Sequence, residues 1–182
     1  MDHGAESYRR YLAGEDIGLM EIIRDYKDGL ILFLCRYVHD LHTAEELAEE
    51  TFFRLAVRKP RFLPRSSFKT WLYTIGRNQA LNHLKRAGRH APLEEAEQLA
   101  EPETAEASLL REEQNVQLHR ALSGLQDTYS QVLYLKYFED MTNGQIASVM
   151  KKNKRQIENL LYQAKRALKS ALEQEGFAYE DL

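Results

Sequence analysis

Ten basic side chains fall between Arg54 and His90 (Arg54, Arg58, Lys59, Arg61, Arg65, Lys69, Arg77, Lys85, Arg86 and Arg89), with no aspartate or glutamate among them. Guanidinium and ammonium groups at this density suit phosphate oxygens, and such binding weakens as salt rises. Interleaved with them are groups of a second kind: the amides of Asn78, Gln79 and Asn82, which can hydrogen-bond base edges, and the rings of Phe62, Trp71 and Tyr73, which can stack on unpaired bases. An amphipathic helix with a solvated basic face would give part of this pattern, and an anionic membrane surface is another partner for it. The length of the run without one acid favours a nucleic acid.

A second constellation is acidic. Glu45, Glu46, Glu49 and Glu50 follow Asp40, and no lysine or arginine lies between Val38 and Phe53. Glu45/Glu49 and Glu46/Glu50 are four apart, so a helix sets like charges side by side at a small cost. A carboxylate metal site would repay that cost, but the Glu-x-x-His pair of such sites is missing. A solvated acidic face and a basic protein partner remain, and the second gives the charges a use.

The third constellation is Lys151, Lys152, Lys154, Arg155, Gln156, Glu158 and Asn159. Residues 151–169 carry seven basic side chains against Glu158 alone. Just upstream, Thr142 and Gln145 have capping-box spacing, with Met141 and Ile146 placed as a hydrophobic staple. A short helix ending near Met150, the turn Lys151-Lys152-Asn153, and a long helix with Ile157, Leu161, Ala164, Leu168 and Leu172 on one face make helix-turn-helix grammar. In that motif the start of the second helix meets base edges in the major groove. A helical hairpin of purely structural use would share the apolar spacing but has no need of the clustered charge.

The elements that carry these groups all read as helices. Short helices are expected over Ser7–Ala13, broken by Gly14, then from Asp16 through Ile17, Met20, Ile22 and Ile23, and from about Asp28 to His39. A fourth starts at Thr43, whose Thr-x-x-Glu spacing is a capping box, and uses Leu47, Phe52 and Leu55. Pro60 and Pro64 keep the next segment irregular, and Ser66 or Ser67 caps a helix over Phe68–Arg89. In that helix Phe68, Trp71, Leu72 and Ile75 form an apolar stripe that continues through Asn78, Gln79 and Asn82 to Arg86. Gly76 within it costs about 1 kcal/mol relative to alanine. From Ala91 the composition turns acidic, with eight glutamates up to Glu113 against one Arg111, which reads as a linker. Helical spacing resumes with Leu109, Val116, Leu118, Leu122 and Leu125, and Asp127 or Thr128 caps a helix holding Val132, Leu133, Leu135 and Phe138.

At 182 residues with 43% hydrophobic side chains the chain can build two small cores. Its net charge of −3 conceals the two basic pools. Cys35, the only cysteine, lies in an apolar run and excludes an intramolecular disulfide and a thiolate metal site. With no stretch of about 18 apolar residues and no basic-then-apolar N-terminus, a cytoplasmic protein without membrane contact of its own is expected. The sequence thus predicts an all-α chain of two helical domains, residues 1–90 and 109–182, joined by an acidic linker over 91–108.

These stretches resemble the extracytoplasmic-function (ECF) group of bacterial sigma factors. TAEELAEETFFRL is similar to that family's AED-x-x-QE-x-F helix, and SFKTWLYTIGRNQALNHLKR to its F-x-x-WL-x-x-I-A-x-N-x-x-x-D-x-x-R helix. LQDTYSQVLYLKYFEDMTNGQIASVM followed by IENLLYQAKRAL is similar to its promoter-reading helix-turn-helix. The resemblance implies a sigma region 2-like and a sigma region 4-like domain that bind core RNA polymerase, through its β′ clamp helices and β flap, together with promoter DNA. Glu45, Glu46, Glu49 and Glu50 would then contact the polymerase. Lys59, Arg61, Phe62, Arg65, Trp71, Arg77, Asn78, Gln79, Asn82, Lys85 and Arg86 would hold the melted minus-ten element. Lys151, Lys152, Lys154, Arg155, Gln156, Glu158 and Asn159 would read the minus-thirty-five duplex. An anti-sigma factor is a further implied partner, and no cofactor is implied. The chain departs from the pattern at Glu49 (usually Gln), Gly76 (Ala), Asn82 (Asp), Gln126 (Pro) and Ser130 (Arg), so a promoter sequence does not transfer.

An enzyme is disfavoured, since the chain lacks a glycine-rich phosphate loop and metal-ligand spacings such as His-x-x-x-His, and its six histidines are scattered. A stand-alone helix-turn-helix repressor or activator would use the basic surfaces equally well. It would have no use for the acidic helix.

Overall fold

The computed structural model describes residues 2–90 and 113–174. All regular elements among them are helices: α1 (His3–Leu12), α2 (Ile17–Val38), α3 (Leu41–Arg58), α4 (Phe68–His90), α5 (Glu113–Ser123), α6 (Asp127–Tyr137), α7 (Asn143–Met150) and α8 (Lys154–Gln174). The chain divides into two compact units, Met1–Ala105 and Glu106–Leu182. The expected acidic linker, residues 91–108, lies outside the described residues, as does Leu109.

The first unit packs α1, α3 and α4 around α2. Its centre is the run Leu30–Tyr37 of α2, buried on every side, and Cys35 takes its place there as a buried thiol outside any disulfide. Sequence spacing placed two helices where the structure has the single α2. The polar stretch Arg24–Gly29 contains no proline and simply turns its charges outward, where Asp25 pairs with Arg24 and His3. Likewise α1 begins at His3 rather than Ser7, because the Asp2 carboxylate caps it from the Ala5 N–H, at 3.2 Å.

Helix α3 starts at Leu41, and its cap is Asp40, not a Thr43 capping box. The Asp40 carboxylate accepts from the Thr43 N–H at 2.7 Å and from its hydroxyl. These bonds hold the Asp40 carboxyl below the usual carboxylate range. Helix α4 buries Phe68, Leu72, Gly76 and Ala80 at four-residue intervals. Gly76 has a packing reason: an added Cβ would stand 2.8 Å from Leu30 Cδ1. From Leu81 to Gly88 every α4 side chain is exposed.

In the second unit α8 lies across α6 and α7, with α5 completing the core. Ile157, Leu161, Ala164, Leu168 and Leu172 are all buried, as their spacing predicts. His119 of α5 is buried against the rings of Tyr134 and Phe138. Helix α6 departs from expectation at its start. Gln126 occupies the capping position without a side-chain bond, and Asp127 falls inside the first turn.

Candidate nucleic-acid interface

Helix α4 has two faces side by side. The stripe of Trp71, Ile75, Asn78 and Asn82 does not continue the buried face but flanks it: Trp71, Ile75 and Gln79 are half-buried, and Asn78 and Asn82 are exposed with Lys85 and Arg86 beyond them. The amides of Asn78 and Asn82 are therefore free of the core and that of Gln79 is partly so, which suits hydrogen bonding to a partner. Arg77 differs, being half-buried against α2. It lies near Tyr37, whose phenol burial pushes up to about 12, with the Arg77 charge offsetting part of that rise. Its Nε is buried without a hydrogen-bond partner.

The segment before α4 is irregular, as its prolines require. Lys59, Arg61 and Arg65 are exposed on it, and Phe62 is half-buried. The Phe62 ring centroid lies 5.2 Å from that of Trp71 and 5.7 Å from that of buried Phe68. Tyr8 and Tyr26 join the same cluster at 5.5 and 5.7 Å from Phe68. Phe62 and Trp71, both half-buried, thus form an aromatic shelf at the edge of a core. Tyr73 does not belong to it. That ring is fully buried against Phe33, at 5.3 Å, so the expectation that it could stack on a base is wrong. Its neighbour Leu72 is buried too, so the core face of α4 is broad enough at this level to take in both residues. Ser67, the second of the two expected caps, accepts from the Thr70 N–H at 3.2 Å.

On α3, Glu46, Glu49 and Glu50 are exposed, while Glu45 is half-buried. Glu46 pairs with His42 at 3.4 Å when the imidazole is protonated. The outward stripe does not end with the acids. It runs on at helical spacing into Phe53 and Val57, which are 66% and 62% exposed. Two large apolar side chains this open on one helix face offer apolar area to a partner beside the acids. Sequence reasoning passed over both, although their spacing from Glu49 and Glu50 was there to be read.

In the second unit α7 begins with a complete capping box between Thr142 and Gln145. Lys151 ends α7 in the left-handed conformation, and the Lys152 N–H closes the turn on Ala147 O at 3.0 Å. Asn153 and Gln156 then cap α8 reciprocally: the Gln156 N–H donates to Asn153 Oδ1 and the Asn153 N–H to Gln156 Oε1, both at 2.8 Å. Lys151, Lys152, Lys154, Arg155, Gln156, Glu158 and Asn159 are all exposed, so the structure brings the whole expected set to one end of α8. Opposite the buried face, Arg155, Asn159, Tyr162 and Arg166 follow one another at helical spacing. Tyr162 is 65% exposed, with Arg166 Cζ 5.9 Å from its ring centroid. It too was missed from sequence.

Two family models cover these surfaces: sigma-70 region 2 matches residues 22–90, and sigma-70 region 4 matches residues 115–168. The chain belongs to the ECF group of sigma-70-type sigma factors. RNA polymerase sigma-H factor of Pseudomonas aeruginosa is 29% identical over 163 residues, covering 84% of both chains. RNA polymerase sigma factor YlaC of Bacillus subtilis is 28% identical over 153 residues, covering 82% of this chain and 88% of its own. Two solved structures share the fold at 17% identity. One is CnrH in complex with the cytosolic domain of CnrY, at a TM-score of 0.63 and covering 94% of this chain. The other is the sigma factor RpoE in complex with the anti-sigma factor NepR from Bartonella quintana, at a TM-score of 0.64 and covering 85%.

As a sigma factor the protein binds core RNA polymerase and promoter DNA and directs promoter-specific transcription initiation. Sigma factors are not enzymes. The stand-alone repressor or activator reading is not favoured. No helix among the described residues is long and apolar enough to cross a membrane.

Proposed function

We propose that this sigma factor divides its work among three surfaces on two domains, with boundaries near residues 1–90 and 109–182 and an acidic linker between. The outward stripe of α3, with Glu45, Glu46, Glu49 and Glu50 and then Phe53 and Val57, docks on a basic and partly apolar face of core polymerase. Residues 59–67 and the flank of α4 hold the separated minus-ten strand. Lys59, Arg61, Arg65, Lys85 and Arg86 take its phosphates, Asn78, Gln79 and Asn82 its base edges, and the Phe62–Trp71 shelf an unstacked base. Arg77, half-buried near Tyr37, is the most enclosed of the phosphate ligands.

The start of α8 enters the major groove of the minus-thirty-five duplex. There Arg155 and Asn159 meet bases, Lys151, Lys152 and Lys154 meet phosphates, and Glu158 accepts from cytosine amino groups. Gln156 contributes mainly by fixing the first turn of the helix. The observation that carries this reading is the exposure of basic and amide surfaces on both units, without an acid on the first and with Glu158 alone on the second, in a chain whose family reads promoters. The protein acts in the cytoplasm, performs no catalytic step of its own, and is held in check by an anti-sigma factor, as the complexes of its structural neighbours suggest.

Promoter selection with reconstituted holoenzyme tests the division of labour. Arg155→Ala should relax base preference in the upstream element alone, and Asn78→Ala in the downstream element alone. Relaxation of the opposite element, or of both by either variant, would refute the assignment.

A further inference from the structure

The segment 59–67 is held at both ends by a helix that the sigma region 2 match, beginning at residue 22, does not include. At its entry the Tyr11 hydroxyl donates to Ala56 O at 2.8 Å, and the Tyr8 hydroxyl to Pro60 O at 2.7 Å. Ala56 O belongs to the last turn of α3, where carbonyls lack helical partners, so Tyr11 satisfies a group that the helix leaves open. Lys59, in the left-handed conformation with φ 43, sets its ammonium 4.8 Å from the centroid of the Tyr11 ring.

At the exit, Asp2 Oδ2 accepts from the Phe68 N–H at 2.6 Å, while its Oδ1 caps α1 itself. One carboxylate thus serves the first turns of two helices. Gly4 permits this closeness, since an added Cβ would stand 2.5 Å from both Phe68 Cδ1 and Tyr26 Oη. Between these ends the Tyr8 ring, itself buried, packs 5.4 Å from Trp71 and so supports the shelf from beneath.

We propose that α1 is a strap that fixes the shape of the strand-binding segment, with Tyr8, Tyr11 and Asp2 as positioning residues. A loop that must present Phe62, Arg61 and Arg65 at set distances loses conformational entropy on binding. Hydrogen bonds made beforehand to Pro60 and Ala56 lower that cost, so affinity for the strand rises without any contact between α1 and DNA. The inference rests on the reading of residues 59–67 as strand-binding.

The test uses holoenzyme reconstituted from core polymerase and the full chain, with a fluorescent single-stranded oligonucleotide carrying the downstream element recovered by the promoter selection described above. Tyr8→Phe combined with Tyr11→Phe keeps both rings and removes both hydroxyls. It should weaken strand binding about five- to tenfold, while core affinity and binding to the minus-thirty-five duplex stay unchanged. Tyr11→Phe alone, which leaves the buried Tyr8 intact, serves if the double variant loses its fold, and should show a smaller loss of the same kind. Phe62→Ala is the reference. If Phe62→Ala weakens strand binding and the tyrosine variants do not, the strap is refuted and the strand reading stands. If Phe62→Ala leaves strand binding unaltered, the strand reading fails and takes the strap with it. Parallel loss of core affinity, duplex binding and strand affinity would mean that α1 only holds the domain together, which also overturns the proposal.

Discussion

Gln156 shows how a single residue can be well placed for one role and occupied by another. By type and position it suits a base contact, yet its carboxamide oxygen closes the reciprocal cap with Asn153. Gln156→Ala should therefore weaken binding to all minus-thirty-five sites alike, by loosening the first turn of the helix, without changing their rank in a selection assay. Arg155→Ala should change the rank. Asp40 supplies a second residue-scale prediction, tied to pH. Its folded pKa is depressed by the Thr43 hydroxyl and N–H, so its contribution is present above the unfolded value of about 3.9 and lost as pH falls through the lower folded value. Asp40→Ala should cost about 1 kcal/mol in denaturant unfolding at neutral pH, and the gap between variant and wild type should close below about pH 4. The carboxylate was visible in the sequence. That it would outcompete Thr43 for the cap was not, because Thr43 supplies the N–H that Asp40 needs and cannot serve as acceptor and donor in both places.

Helix α8 was legible as an element because its five core residues keep strict helical spacing against charges on every other side. Helix α2 was not. Its polar stretch Arg24–Gly29 lies between two apolar runs and looks like a loop, but Tyr26 reaches the Phe68 ring and the remaining side chains face water. Aromatic packing across α1, α2 and α4 decides continuity there, and that packing has no local signature. The same limit hid the buried position of Tyr73, since its packing on Phe33 of α2 has no local signature either. Helix α3 carries the prediction at this scale. Glu46→Lys with Glu49→Lys should lower affinity for core polymerase about tenfold at low salt, chiefly through slower association, and less at high salt where the charges are screened. Phe53→Ser should instead speed dissociation and change little with salt. Competition against a second sigma factor for limited core reads both. Unchanged core affinity in both variants would remove α3 from the interface.

For the whole molecule, the chemistry of the two basic surfaces differs in a way that fits a promoter. The start of α8 is a row of charges and amides suited to a duplex groove, whereas the Phe62–Trp71 shelf beside Asn78 is of full use only to a base out of its stack. Stacking contributes roughly 1–3 kcal/mol per base, and unpairing costs a few kcal/mol. The two nearly cancel, so the protein by itself should open DNA poorly. Phe62→Ala and Asn78→Ala holoenzymes should fail on a closed promoter yet recover on one carrying a pre-melted bubble, with the melting temperature of the protein unchanged for exposed Asn78→Ala and lowered for Phe62→Ala, whose ring packs on Phe68 and Trp71.

The central claim, that this chain directs core polymerase to promoters, is met most directly by transcription in vitro. Purified core polymerase, this protein and a library of randomised upstream sequences would be combined, and the 5′ ends of the transcripts sequenced. The account predicts transcripts that depend on both proteins, start at one fixed distance from two shared sequence elements, and vanish when either element is scrambled. It would be contradicted if the chain bound a specific duplex on its own while core polymerase, with or without it, started at the same places.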